Sequence, residues 1–262
     1  MSERINIVKS FYEEVDEEQR LEKSRHGQLE FRTTMEYIHR MVSENAKILE
    51  VGAGTGRYSI ALAKEGYGVT AIELLENNLA VLKKKAQGME NLQAFQGDAL
   101  DLSRWEDNTF DLTLVLGPMY HLYEKEQIHK AIDEAIRVTK KDGVIFFAFL
   151  SVHAILFNNY LKENLREGIE ENFTDAYEIR HFEEQLFTGY DIVEFEELFA
   201  EKEIEYISTV AADTILELAR KRTDFVMSDE DFETFAKYHL AFCEKRELLG
   251  ASSHLLYVCR KK

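Results

Sequence analysis

The sequence predicts an α/β fold built on a mostly parallel sheet, and three observations carry that prediction. Between Lys47 and Leu150, strand-like and helix-like runs alternate five times. Alternation of this kind builds parallel strands joined by right-handed helical crossovers. The first strand-like run leads straight into Gly52-Ala-Gly-Thr-Gly56. Val144 to Leu150 is apolar at every position, as expected of a strand covered on both faces.

Each element has its own justification. Residues 4–23 place Ile5, Val8, Phe11, Tyr12 and Val15 at helical spacing among charges. A polar stretch with Gly27 interrupts, and Phe31, Met35, Ile38 and Val42 share one face of a second helix from Glu30 to Ser43. Lys47 to Val51 reads as a short buried strand, and Tyr58 to Lys64 as a helix. Gly66 and Gly68 mark a turn before the strand Val69 to Ile72, which ends in Glu73. A helix over Asn77 to Gln87 precedes a weak strand over Leu92 to Phe95, which ends near Gly97-Asp98. Phe110 to Leu116 is a strong strand, stopped by Gly117-Pro118. Ile128, Ala131, Ile132, Ala135 and Ile136 mark an amphipathic helix before the apolar run at Val144. Regularity then fails until the strand Ile204 to Val210. Asp213 to Arg222 and Ser228 to Leu248 read as helices, the second opened by the box-like pair Ser228 and Asp231. His254 to Arg260 is a final strand.

Composition narrows the function. The 262 residues include one proline, Pro118, where average usage predicts roughly 13; proline-rich recognition segments are excluded. Acidic residues number 49 and basic residues 32, a net charge of −17. That balance opposes a nucleic-acid partner, whose phosphates need Lys and Arg. Two cysteines, Cys243 and Cys259, are too few for a disulfide framework. The longest apolar run falls far short of the ~20 residues of a membrane helix, and the N-terminus has no apolar signal region. A cytoplasmic protein without a membrane partner is expected.

The glycine loop and two acids form an ordered set. Glycine removes the Cβ and permits positive φ, so a ligand can lie against the backbone. Glu73 lies 17 residues after Gly56 at the end of the second strand, where a carboxylate can accept from the ribose diol of an adenosine. Asp98, ending the third strand, is placed to accept the adenine amine, with the Ala99 amide facing the ring. The loop reads G-x-G-x-G rather than the G-x-G-x-x-G of nicotinamide enzymes. Glu50 precedes it, and an acid there would repel a pyrophosphate and suit an amino acid's ammonium.

With this set the sequence resembles class I S-adenosylmethionine-dependent methyltransferases. Glu50-Val-Gly-Ala-Gly-Thr-Gly56 looks like their first motif, Glu73 like the acidic second and Gly97-Asp98-Ala99 like the third. Gly-Pro-Met-Tyr-His-Leu122 is similar to a G-P-[LM]-Y-H-L motif of a bacterial small-molecule subgroup, as are Leu29-Glu-Phe-Arg-Thr-Thr34 and Leu249-Gly-Ala-Ser-Ser-His-Leu-Leu256. The resemblance implies a Rossmann-like, mostly parallel seven-stranded sheet with an antiparallel last strand. It divides the chain into a helical cap (1–46), a cofactor-binding core (47–150), an aromatic acidic insertion forming a lid over the acceptor (151–203) and the rest of the sheet (204–262).

The expected cofactor is S-adenosylmethionine, leaving as S-adenosylhomocysteine. Its candidate contacts are Tyr12, Glu50, Gly52, Ala53, Gly54, Gly56, Glu73, Leu74, Asp98, Ala99, Leu116 and Gly117. Tyr120 and His121 follow the fourth strand as catalytic candidates, His121 because imidazole titrates near neutrality and can take a proton. Arg32, Tyr160, Tyr177 and His181 are candidates for substrate contact, together with Phe157, Phe173 and Phe182. The insertion's acidity over Lys162 to Glu205, 15 acidic against 4 basic residues, hints at a cationic acceptor, or is simply a solvated face. His239 and His254 are expected in the core first. No metal-ligand spacing is visible, so no metal is expected. Methylation of a small-molecule N or O nucleophile is the leading reading. The alternatives are a nicotinamide-dependent oxidoreductase and a cofactor-binding module without catalysis.

Overall fold

A computed structural model describes residues 3–14, 20–182 and 185–262. Val15, expected in the first helix, lies outside the described residues. The helices α1 (Glu3–Glu14), α2 (Arg20–Lys23) and α3 (Arg25–Met41) come first. The core continues with β1 (Lys47–Val51), α4 (Arg57–Lys64), β2 (Gly68–Glu73), α5 (Glu76–Lys85), β3 (Leu92–Gln96) and β4 (Phe110–Val115). A 3-10 turn (Pro118–His121), α6 (Lys125–Val138) and β5 (Thr139–Ser151) follow. Then come α7 (Val152–Asn159), α8 (Leu165–Asn172), β6 (Gly189–Tyr190), α9 (Ile192–Glu197) and β7 (Ile204–Ala211). The chain closes with α10 (Leu216–Ala219), α11 (Asp229–Phe242), α12 (Arg246–Leu249) and β8 (His254–Lys261).

The sheet runs in the order β3-β2-β1-β4-β5-β8-β7, with β6 added beside β5. The seven-stranded path agrees with expectation; the two-residue β6 is an addition. β1 to β5 pair in parallel, and β8 runs antiparallel to both β5 and β7. Because the strand order reverses direction between β1 and β4, the carboxyl ends of these strands open a crevice. Val144 to Ser151 is buried along its whole length, with α6 and α7 packed against β5. One apolar cluster extends from Leu21 through the central strands to Cys259.

Three local readings change. Gly27 does not interrupt a helix: Ser24 accepts a hydrogen bond from its N–H at 3.2 Å and caps α3, so the helix begins earlier. Asp213 to Arg222 yields only the single turn of α10, because Asp213 is turned inward and bound to Ser252, Ser253 and His254. The helix from Ser228 breaks after Phe242 and resumes at Arg246.

Candidate active site

The glycine loop is pinned beneath β2. Gly52 and Ala53 N–H both donate to the Ile72 carbonyl at 2.9 Å. Gly52 has φ +78, and a Cβ there would lie 2.6 Å from Pro118 Cδ. The lone proline therefore packs on the first glycine of the loop, joining the ends of β1 and β4. Gly56 has φ +86 and faces elsewhere: a Cβ would meet Leu82 Cδ1 at 2.1 Å. It allows α5 to close on the loop and does not line the cleft, contrary to its expected cofactor contact.

Glu73 is buried with both oxygens directed by backbone amides. Gly54 N–H donates to Oε2 at 2.7 Å and Leu75 N–H to Oε1 at 2.8 Å. Two amides hold the carboxylate facing the cleft, where a carboxylate can accept from a diol. Glu50, 2% exposed, accepts from Ser59 Oγ. No cation pairs with it among the described residues, and burial pushes its carboxyl up to about 8. A buried carboxyl of this kind fits an incoming ammonium group.

These residues line one cleft with Ala53, Leu74, Ala99, Leu116, Gly117, Tyr120 and His121. Tyr12 reaches it from α1. Asp98 also lines it, but its carboxylate is paired with Arg4 of α1. The adenine-reading role expected of Asp98 thus requires Arg4 to share or yield that carboxylate.

Tyr120 and His121 stand at the carboxyl end of β4 on the turn begun by Pro118. Tyr120 Oη donates to the Leu116 carbonyl at 2.8 Å. His121 Nδ1 is 2.8 Å from the Leu186 carbonyl, which can only accept, so Nδ1 carries the proton and Nε2 the lone pair. Tyr12 Oη lies 3.2 Å from that Nε2 and donates to it. Burial lowers the imidazole to about 4, with the nearby Arg4 charge acting in the same direction. The expected titration near neutrality is therefore corrected: in the closed cleft His121 is neutral.

The insertion covers this corner through residues the sequence did not single out. Leu186 holds His121, Thr188 N–H donates to the Tyr120 carbonyl at 2.9 Å, and the Phe187 ring lies 5.2 Å from both His121 and Phe11. Parallel pairing of Gly189 and Tyr190 with the end of β5 brings them there. No periodicity distinguished Phe187 from the other aromatics of the segment.

The expected substrate contacts do not join the cleft. Arg32 points away and grips Glu233 with both carboxylate oxygens at 2.8 Å; Arg4 and Arg57 are the arginines in the cleft. Tyr160 packs on Gly168 and donates to Glu171 at 2.7 Å. Tyr177 is 75% exposed at a positive-φ turn. His181 is bound by Thr188 at 2.6 Å and Glu194 at 2.8 Å. Phe157, Phe173 and Phe182 are also absent from the cleft lining. His239 is fully buried on the Ala211 carbonyl, as expected of a core residue. His254 instead meets Glu30 and Asp213 in a cluster of possible metal donors that linear spacing did not reveal.

The strand order, the reversed last strand and the surrounding helices are those of the Rossmann-like methyltransferase fold. Comparison with known proteins adds the domain class. Residues 48–143 match the methyltransferase domain family, so the chain carries an enzyme domain of the transferase class. A protein named as a methyltransferase in Geobacillus sp. (strain WCH70) is 32% identical over 103 residues, 38% of this chain and 41% of that protein. Demethylmenaquinone methyltransferase of Staphylococcus aureus (strain JH9) is 37% identical over 108 residues, 40% of this chain and 43% of that protein. The chain thus spans less than half the length of these curated relatives. A solved S-adenosylmethionine-dependent methyltransferase from Methanosarcina mazei superposes with a TM-score of 0.56 at 15% identity, over 86% of this chain and 96% of that one. Among the described residues no helix is long and apolar enough to cross a membrane.

Proposed function

We propose that this protein transfers a methyl group from S-adenosylmethionine to a small-molecule N or O nucleophile. The observation that carries the reading is the placement of Glu73: two loop amides fix its carboxylate over the same cleft that holds Glu50, Ala99 and His121. The methyltransferase domain match over residues 48–143 supports it.

Bound in the cleft, the cofactor supplies an electrophilic methyl on a sulfonium. The protein's residues do the rest. Glu73 would take the ribose diol, and Glu50 would release its proton to solvent and face the ammonium as a carboxylate. Gly52 and Gly54 let the ligand lie against the backbone. Ala99 presents its amide to the ring, and Asp98 accepts from the adenine amine once Arg4 yields. Tyr120 shapes the cleft beside His121, whose Nε2 lone pair takes the proton released by the acceptor as the new bond to carbon forms. Tyr12 must surrender its hydrogen bond for the acceptor to reach that nitrogen. Holding the acceptor close and aligned in the cleft would supply most of the rate enhancement.

Thermal-shift comparison of S-adenosylhomocysteine with NAD and NADP tests the cofactor. Stabilisation by the first alone is expected; stabilisation by a nicotinamide dinucleotide alone overturns the reading in favour of an oxidoreductase. A screen of amines, phenols and carboxylates with labelled cofactor then tests transfer. Binding without label transfer to any of these classes identifies a module without this catalysis. An unchanged pH–rate profile in His121→Gln would remove His121 as the base.

A further inference from the structure

A second constellation lies where β8 begins opposite the end of β5. The cofactor cleft does not use it. Glu30 from α3, Asp213 after β7 and His254 at the start of β8 bring one donor atom each within 4.8 Å of one another. His254 Nδ1 is 2.7 Å from Asp213 Oδ2 and 3.8 Å from Glu30 Oε2.

Asp213 is fully buried and held from one side. Its Oδ1 accepts from Ser252 Oγ at 2.8 Å and from the N–H groups of Ser253 and His254 at 3.0 and 3.2 Å. Oδ2 is left directed at the imidazole. The next residue, Thr214, has φ +46, a costly conformation for a β-branched side chain. Ser252 Oγ accepts from the Thr214 N–H at 2.9 Å and helps hold it there. The backbone is thus strained where it presents Asp213.

Two buried polar atoms beside the cluster lack partners among the described residues: His26 Nδ1 and Asn158 Oδ1. His26, 7% exposed, is lowered first by burial and feels the charges of Glu217, Arg220, Asp213 and His254. Asn158 spends its amide N–H groups on Glu217 and Ser253, at 3.0 and 2.8 Å, leaving its oxygen unmatched. Buried polar atoms without partners are rare. Two carboxylates and an imidazole together suit a cation.

We propose that Glu30, Asp213 and His254 bind a single first-row divalent metal ion. Mixed carboxylate and imidazole donors suit zinc, manganese or iron. Bonds of about 2.0–2.2 Å place ligand atoms roughly 3–4 Å apart, close to the spacings present. The ion would tie α3 to the start of β8 and replace the direct His254–Asp213 hydrogen bond.

The test uses the whole protein, stripped with a chelator and titrated with Zn²⁺ and Co²⁺. One equivalent of Zn²⁺ should survive gel filtration and raise the melting temperature, and Co²⁺ should give visible d–d bands. Glu30→Gln and His254→Gln, each checked for native circular dichroism, should weaken binding at least about tenfold. X-ray absorption of the wild-type Zn²⁺ form needs no variant to fold: it should show an N/O shell with imidazole scattering. Absence of stoichiometric binding, unchanged affinity in both variants, or a sulfur shell from Cys243 or Cys259 overturns the proposal.

Discussion

Tyr12 Oη donates to His121 Nε2 across 3.2 Å, joining the N-terminal helix to the end of β4. Because Nδ1 is committed to the Leu186 carbonyl, this contact closes the imidazole's second hydrogen-bonding position. The catalytic candidate is therefore sealed from water on one side by α1 and on the other by Phe187.

That enclosure sets a pH dependence of stability. His121 titrates near 6.5 in the unfolded chain and is lowered to about 4 in the folded protein. Between those values the unfolded state binds more protons, so acid destabilises the fold through that window. The wild type should lose up to roughly 3 kcal/mol relative to His121→Gln between pH 7 and pH 4. Denaturant melts across that range measure it; parallel curves would contradict the buried neutral imidazole.

Glu50 gives the opposite sign. Its carboxyl, raised to about 8, keeps a proton in the folded protein at pH 7 that the unfolded chain releases near 4.5. Stability should fall as pH rises from 4.5 toward 8. An ammonium brought beside Glu50 favours its charged form, so S-adenosylhomocysteine binding at pH 7 should release on the order of one proton. Calorimetry in two buffers of different ionisation enthalpy reads this directly, and Glu50→Gln should abolish the difference.

Glu73 should dominate cofactor affinity. Charged hydrogen bonds contribute ~1.5–3 kcal/mol each, so Glu73→Ala should weaken S-adenosylhomocysteine binding on the order of 10–100-fold. Arg32→Ala is the contrast, since Arg32 pairs with Glu233 outside the cleft. Its loss should leave cofactor affinity unaltered. Titration calorimetry of both variants decides between them.

Gly56 should matter to stability through Leu82. Alanine there adds a methyl 2.1 Å from Leu82 Cδ1 at φ +86. The clash and the left-handed backbone should cost about 1–3 kcal/mol. Leu82→Ala opens the same space, so the double variant should lose less than the sum of the singles. Strict additivity in urea melts would exclude the contact as the cause.

Much of the fold and half of the site were legible in order along the chain. Strands β1, β2 and β4 announced themselves by apolar runs ending in Gly52, Glu73 and Gly117. A parallel sheet delivers every such strand end to one edge, so linear order alone predicted that Glu50, Glu73, Asp98, Ala99, Leu116 and His121 would meet. Local chemistry was sufficient because each residue follows its strand by a fixed, short step.

Contacts set by long loops were not legible. Arg4 reached Asp98, and Phe187 reached His121, only once α1 and the insertion had docked. Arg32, Tyr160, Tyr177 and His181 had suitable chemistry but found partners elsewhere, because no strand end fixed their direction. Glu30, Asp213 and His254 lie far apart along the chain and meet within 4.8 Å. The sequence by itself determined the sheet and the acids at its strand ends, through hydrophobic periodicity and turn residues. Only the tertiary structure decided which side chains close the cleft and that His121 is neutral within it, because burial and side-chain pairing depend on what packs from distant segments.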